Sequence, residues 1–156
     1  EGGTRTPIIT HWKGRIKPGV SDEIVCTIDL ATSMAAITGQ TIEADTFLDS
    51  LDVSGALLGR DGAIGRDHLV QQDNGASGSF GFRVGDWKLV RHDKKSARNL
   101  VVERELANSP VPQYQLFHLS DDAAEQHNVI AQHGEVAQQM ITRLQQIIDD
   151  GRTRPE

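Results

Sequence analysis

The chain has 156 residues, enough for one domain with a real core or for a small domain plus a piece of another. With 37% hydrophobic and 24% charged residues it has the composition of an ordinary folded protein, and no apolar run approaches the ~20 residues of a membrane span. A formal charge of -6 argues against a nucleic-acid partner, which would call for a surplus of clustered Lys and Arg.

Glu1 to Pro7 is a Gly-rich turn that runs straight into Ile8-Ile-Thr-His-Trp12, a β-rich segment started by a proline and read as a buried strand. An opening so close to a core element predicts that the chain is the later part of a longer protein. Lys13 to Gly19 follows as a polar loop with a Pro-Gly turn. Asp29 is placed to cap a helix over Leu30 to Thr38 that buries Ala31, Met34, Ala35 and Ile37, with Gly39 at the left-handed C′ position. Strand, loop and helix make the rhythm of an α/β sheet.

From Gln40 to about Asp67 the periodicity fails, and Phe47, Leu48, Leu51, Val53, Leu57 and Leu58 anchor a connection at intervals. Ser79 to Val84 and Trp87 to Arg91 flank Gly85-Asp86, a two-residue turn that predicts an antiparallel hairpin with Phe80, Phe82 and Val84 on one face. Arg83, Asp86 and Lys88 then fall on its outer face, where cross-strand pairing accounts for them. The basic stretch from Lys88 to Arg98 reads as the solvated side and tip of a hairpin. Asn99 to Leu106 forms an outer strand or part of a long loop, and Pro110 and Pro112 forbid a central strand there. Gln113 to Leu119 is another strand. Glu135 to Asp150 places Val136, Met140, Leu144, Ile147 and Ile148 on one stripe, so that helix should lie across one face of the antiparallel sheet.

Nothing in these residues, read alone, amounts to an active site. The single cysteine, Cys26, lies among apolar neighbours and reads as a buried, inert thiol, unable by itself to form a disulfide or a zinc site. The six histidines contain no H-x-x-x-H pair; His118 reads as a packed or rim residue, and His11 stays a weak candidate near the end of a strand, where α/β sites open. Asp73-Asn74-Gly75 could offer two oxygen ligands to a hard cation, but the same triplet is foremost a turn. Asp121, Asp122 and Glu125 could offer oxygens to a cation, but acidic residues also favour the first turn of a short helix through its dipole, and the helix is the expectation. Gly75-Ala-Ser77-Gly-Ser79 lacks the spacing of a nucleophile elbow.

Several strings, in order, resemble the later part of bacterial sulfatases of the arylsulfatase type. Glu1-Gly-Gly-Thr-Arg5-Thr-Pro7 with Trp12, Gly14 and Ile16 is similar to the family's E-G-G-x-R-x-P stretch and W-P-G-x-I turn, with Lys13 in place of proline. Ile28-Asp29-Leu30-Ala-Thr32 with Gly39 looks like the aspartate-started helix, and Asp49-Ser50 with Leu57-Leu58-Gly59 like the D-S/L-L-G connection. Arg83-Val-Gly85-Asp-Trp87-Lys-Leu89 matches R-x-G-x-W-K-L/I. Gln115 to Asp122 with Glu125 and Asn128 resembles L-Y-N-L-x-x-D-P-x-E-x-x-N, from which His118 and Ala123 depart.

The resemblance implies a fold running from α/β to α+β: residues 1–40 as the edge of an alkaline-phosphatase-like α/β domain, 41–67 as a connection, and 68–156 as a C-terminal antiparallel sheet packed by one helix. It implies formylglycine and Ca²⁺ for the whole enzyme, with neither held by this chain, because the family's modified cysteine, S-D-N-G motif and lysine precede E-G-G. The Cys26 context, Val-Cys-Thr-Ile-Asp, does not fit the modified motif. No catalytic or metal residue is expected here. Glu1, Arg5 and His11 would support the site or form the substrate rim. The expected partners are the N-terminal catalytic part, a sulfated small molecule or saccharide for the whole enzyme, and further copies through exposed apolar surface. A periplasmic or secreted location goes with the family. The rival readings are a free-standing interaction domain built from a sulfatase tail, and the tail of a related phosphoester or phosphonate hydrolase.

Overall fold

The computed structural model describes residues 5–73, 79–92 and 112–154. A 3-10 turn at Thr27–Asp29 leads into helix α1 (Leu30–Thr38), and a short helix α2 spans Ser54–Leu57. Strands β1 (His68–Gln72), β2 (Phe80–Val84), β3 (Trp87–Arg91) and β4 (Tyr114–His118) follow, then helix α3 (Gly134–Asp150). The strands form one sheet in the order β1-β2-β3-β4, antiparallel across β2/β3 and β3/β4. Contacts divide the chain into two units, residues 1–69 with 147–156, and residues 70–146.

In the second unit the hairpin forms where the alternation and the Gly-Asp turn require it. Val84 pairs with Trp87, and Gly85 takes the positive φ of 54° that the tight turn needs. One cross-strand row, Phe82 opposite Leu89 opposite Leu116, is fully buried and forms the heart of the sheet. On α3 the buried stripe is Ala137, Met140 and Leu144, with Val136, Ile147 and Ile148 only half-buried. The Arg143 guanidinium of that helix lies 5.9 Å from the Phe82 ring centroid, against the core face of the sheet. β1 is absent from the sequence expectation because its His-Leu-Val-Gln-Gln has only two apolar residues and no alternation to recognise.

Lys88 departs from the outer-face expectation. It is buried, and its Nζ donates to Glu125 Oε1 at 2.8 Å, because the chain after β4 folds back over that end of the hairpin. The outer edge of β4 is also covered. Leu116 N–H donates to Asn128 Oδ1 at 3.0 Å, and Val129 N–H donates to the Leu116 carbonyl at 2.9 Å, which blunts an otherwise open sheet edge.

In the first unit α1 has the expected bounds and Gly39 closes it in the left-handed region at φ 70°. Its buried face differs from the expected one: Ser33 is buried, whereas Met34 is 48% exposed. Asp29 does not cap the helix with its side chain. Its Oδ2 accepts the Cys26 N–H at 3.0 Å, while Oδ1 accepts the Leu51 N–H at 2.9 Å and Arg66 Nη1 at 2.5 Å. Both side chains of this ion pair are wholly shielded from solvent. Arg66 also donates to the carbonyls of His68 and Asp49 and to Thr153 Oγ1. Ser50 Oγ and Ser33 Oγ accept the backbone N–H groups of Thr32 and Val53, so the connection is sewn to α1 by polar contacts as much as by its buried anchors Val53 and Leu57.

The strand expected at Ile8 to Trp12 does not form. The segment has no regular secondary structure and pairs with no described strand, and Ile9 and Trp12 are 88% and 43% exposed. β-propensity without a neighbouring edge yields no ladder. The turn after it is present: the Trp12 carbonyl accepts Arg15 and Ile16 N–H groups at 3.0 Å each, with Gly14 at φ 77°. The Asn99 to Leu106 strand, the Asn74-Gly75 turn and the tip of the basic stretch lie outside the described residues.

Removing one partner of the buried ion pair strands the other charge. Asp29→Ala should therefore cost about 3–5 kcal/mol, read as a lower urea midpoint, whereas the double change Asp29→Leu with Arg66→Met should cost distinctly less.

Candidate functional site

The β3/β4 register sets Trp87 opposite His118, and their rings meet at a centroid distance of 4.5 Å. Beyond His118 the chain does not enter the short helix expected at Asp121 to Glu125. It makes turns instead, and each acid takes a separate partner. Asp121 Oδ2 lies 2.6 Å from His118 Nδ1, Asp122 Oδ2 accepts the His127 N–H at 2.7 Å, and Glu125 binds Lys88. Glu125 itself has φ 56°, a left-handed conformation uncommon outside glycine and held here by the buried lysine. Asn128 then carries the chain along β4 to His133, whose ring sits 4.8 Å from Trp87 on entering α3.

The result is a cleft of about 370 Å³ between strand, loop and helix start. Trp87 and Val129 supply its apolar wall, His118, His127 and His133 three imidazoles, and Asp121 and Asp122 two carboxylates. The His127 side chain is 77% exposed and its Nδ1 stands 3.6 Å from Asp122 Oδ2. Among the described residues no group of three or more His, Cys, Asp or Glu is arranged to hold a metal ion. The cleft has an orienting His–Asp pair but no hydroxyl or thiol nucleophile on its wall, so its geometry suits binding.

The residues singled out in the sequence lie elsewhere. Arg5 and His11 are exposed on the unpaired segment before the Trp12 turn and do not line the cleft, and Glu1 lies outside the described residues. Cys26 is half-buried at the 3-10 turn, with its N–H held by Asp29. Asp73 donates its N–H to the Ser79 carbonyl at 3.2 Å, while Asn74 and Gly75 lie outside the described residues. Sequence reasoning missed the cleft because its histidines, at 118, 127 and 133, have no regular spacing. The register of Trp87 against His118 and the return of the chain along β4 bring them together.

The Asp122 carboxyl is held below its ordinary value of 3.8, first by the His127 N–H, then by that of Gln126, against the opposing effect of burial. A lowered native pKa means the folded state binds the proton less readily than the unfolded chain. The stabilisation is thus fully present above pH about 4 and is lost as the pH falls through the lowered value. Asp122→Asn should flatten that acid limb in thermal-unfolding midpoints taken from pH 5 down to pH 2, leaving the remaining carboxylates to set the slope.

No family model matches the chain. It is 32% identical over 147 residues to an N-acetylgalactosamine-6-O-sulfatase of Bacteroides thetaiotaomicron, covering 94% of this chain and 28% of that protein. It is 30% identical over 155 residues to arylsulfatase A of Bos taurus, covering 94% of this chain and 30% of that one. A solved structure from the metabolism of multiple glycosaminoglycans by Bacteroides thetaiotaomicron superposes with a TM-score of 0.74 at 29% identity, covering 87% of this chain and 27% of its own. Ps i-CgsB in complex with k-i-k-neocarrahexaose shares the fold, at TM-score 0.54, 18% identity, and coverage of 80% and 24%. The chain thus spans 28–30% of the length of the first two relatives. It belongs to the sulfatases of the arylsulfatase type and corresponds to a C-terminal part of them.

Proposed function

We propose that this chain is the supporting C-terminal part of a sulfuric ester hydrolase and does not itself carry the hydrolytic chemistry. The observation that carries this reading is the match of nearly the whole chain to less than a third of a sulfatase. The only cysteine supports it: Cys26 is followed by Thr27, Ile28 and the buried Asp29, whose carboxylate accepts the Cys26 N–H, a poor setting for a modified nucleophile. Among the described residues no group of three or more His, Cys, Asp or Glu is arranged to hold a metal ion, and Ca²⁺ and formylglycine are assigned to the remainder of the enzyme. The substrate of the whole is a sulfated small molecule or saccharide, and the periplasm or cell exterior is its expected place. Arg5 and His11, both exposed, are assigned to the rim of the site in the whole enzyme.

The described residues of the first unit expose Ile8, Ile9, Trp12, Val20, Ile28 and Met34, apolar side chains of the kind a partner's surface covers. The catalytic part of the enzyme is the partner that this surface fits. In its absence copies of the chain should associate through it, and sedimentation should reveal dimers or larger species at micromolar concentration. A monomer under those conditions would count against an apolar docking face.

The chain alone, supplied with Ca²⁺ and 4-nitrophenyl sulfate, should release no nitrophenol above background. Joined to the catalytic part of the same enzyme it should do so. Turnover by the isolated chain would overturn the supporting role.

A further inference from the structure

We propose that the cleft beside Trp87 binds an uncharged pyranose ring and discriminates against its sulfate ester. The proposal does not rest on the sulfatase reading, because it is drawn from the lining alone. The cleft of about 370 Å³ lies in the range of small-ligand sites and is large enough for one sugar ring. Its lining is amphipathic in the way such a ring is. The indole of Trp87 and the methyls of Val129 provide apolar contact for the C–H faces, and the other lining residues are polar.

Those polar groups are of both kinds. The Asp121 and Asp122 carboxylates accept hydrogen bonds, and each imidazole offers one donor and one acceptor in its neutral form. Asp121 holds His118 by Nδ1, which leaves the far side of that ring for a ligand. Among the described residues the His133 ring makes no hydrogen bond, although it packs on Trp87 at the rim of the cleft. Asp122 stays ionised to acid pH because the His127 N–H stabilises its carboxylate, so it remains an acceptor. Among the described residues no Lys or Arg lines the cleft. Two carboxylates without a fixed cation repel a sulfate or phosphate group, while hydroxyl groups can donate to them.

The test is a titration of the full chain, isotopically labelled, followed by the NMR shifts of the Trp87 indole N–H and the histidine ring protons. The probes are methyl β-D-glucopyranoside, methyl α-D-mannopyranoside and glucose 6-sulfate. At least one neutral glycoside should give saturable shifts confined to the cleft, with a dissociation constant of about 1–10 mM, and glucose 6-sulfate should bind at least about tenfold more weakly. His133→Ala and, as a second variant at an exposed position, His127→Gln should each weaken binding about five- to tenfold with the helical circular dichroism unchanged. Absence of saturation by both neutral glycosides at about 100 mM, equal or tighter binding of glucose 6-sulfate, or full affinity in both folded variants would overturn the proposal.

Discussion

The buried contact between Asp29 and Arg66 organises the first unit. Taking two opposite charges fully out of water is costly unless every remaining hydrogen-bonding position is satisfied. Here the positions are filled from four directions. Asp29 takes the N–H groups of Cys26 and Leu51, and Arg66 gives to the carbonyls of Asp49 and His68 and to Thr153. The 3-10 turn, the connection, the start of β1 and the C-terminal tail are thereby fixed by one pair of side chains. Arg154 extends the arrangement by donating to the carbonyls of Ala44 and Thr46, so a segment without hydrophobic periodicity is ordered by polar contacts.

The second unit repeats the device at smaller scale. Lys88 is drawn under cover by Glu125, and Asn128 bonds two backbone N–H groups, those of Leu116 and Ile130. The loop after β4 therefore lies along the sheet, tied to Lys88 and Leu116, and its residues Asp121, Asp122, His127 and Val129 form one side of the Trp87 cleft. The cleft is a by-product of an ion pair and an asparagine bridge before it is anything else.

These contacts also explain why particular strings carry the resemblance to sulfatases. In Gly85-Asp-Trp87-Lys-Leu89 the glycine makes the turn, the indole packs on two imidazoles, the lysine meets Glu125 and the leucine lies at the centre of the buried row. Asp29, at the start of the other helix, is the acid of the buried pair. The recognisable residues of this chain are those that hold backbone in place.

By itself the sequence determined the local elements. The Gly85-Asp86 turn with period-two apolar residues on either side fixed the hairpin, and Gly39 fixed the end of α1, because turns, C-terminal glycines and periodicity act over a few residues. Family membership was legible for the same reason, in short strings. Tertiary structure decided what those residues touch. Whether Ile8 to Trp12 pairs depends on an edge that no local signal supplies, and the same holds for the polar pinning of Gln40 to Asp67. Lys88 was read as solvated from its alternation, yet Glu125, 37 positions on, buries it. The cleft was invisible in one dimension because its histidines meet only through strand register and a loop return, contacts between residues far apart in the chain.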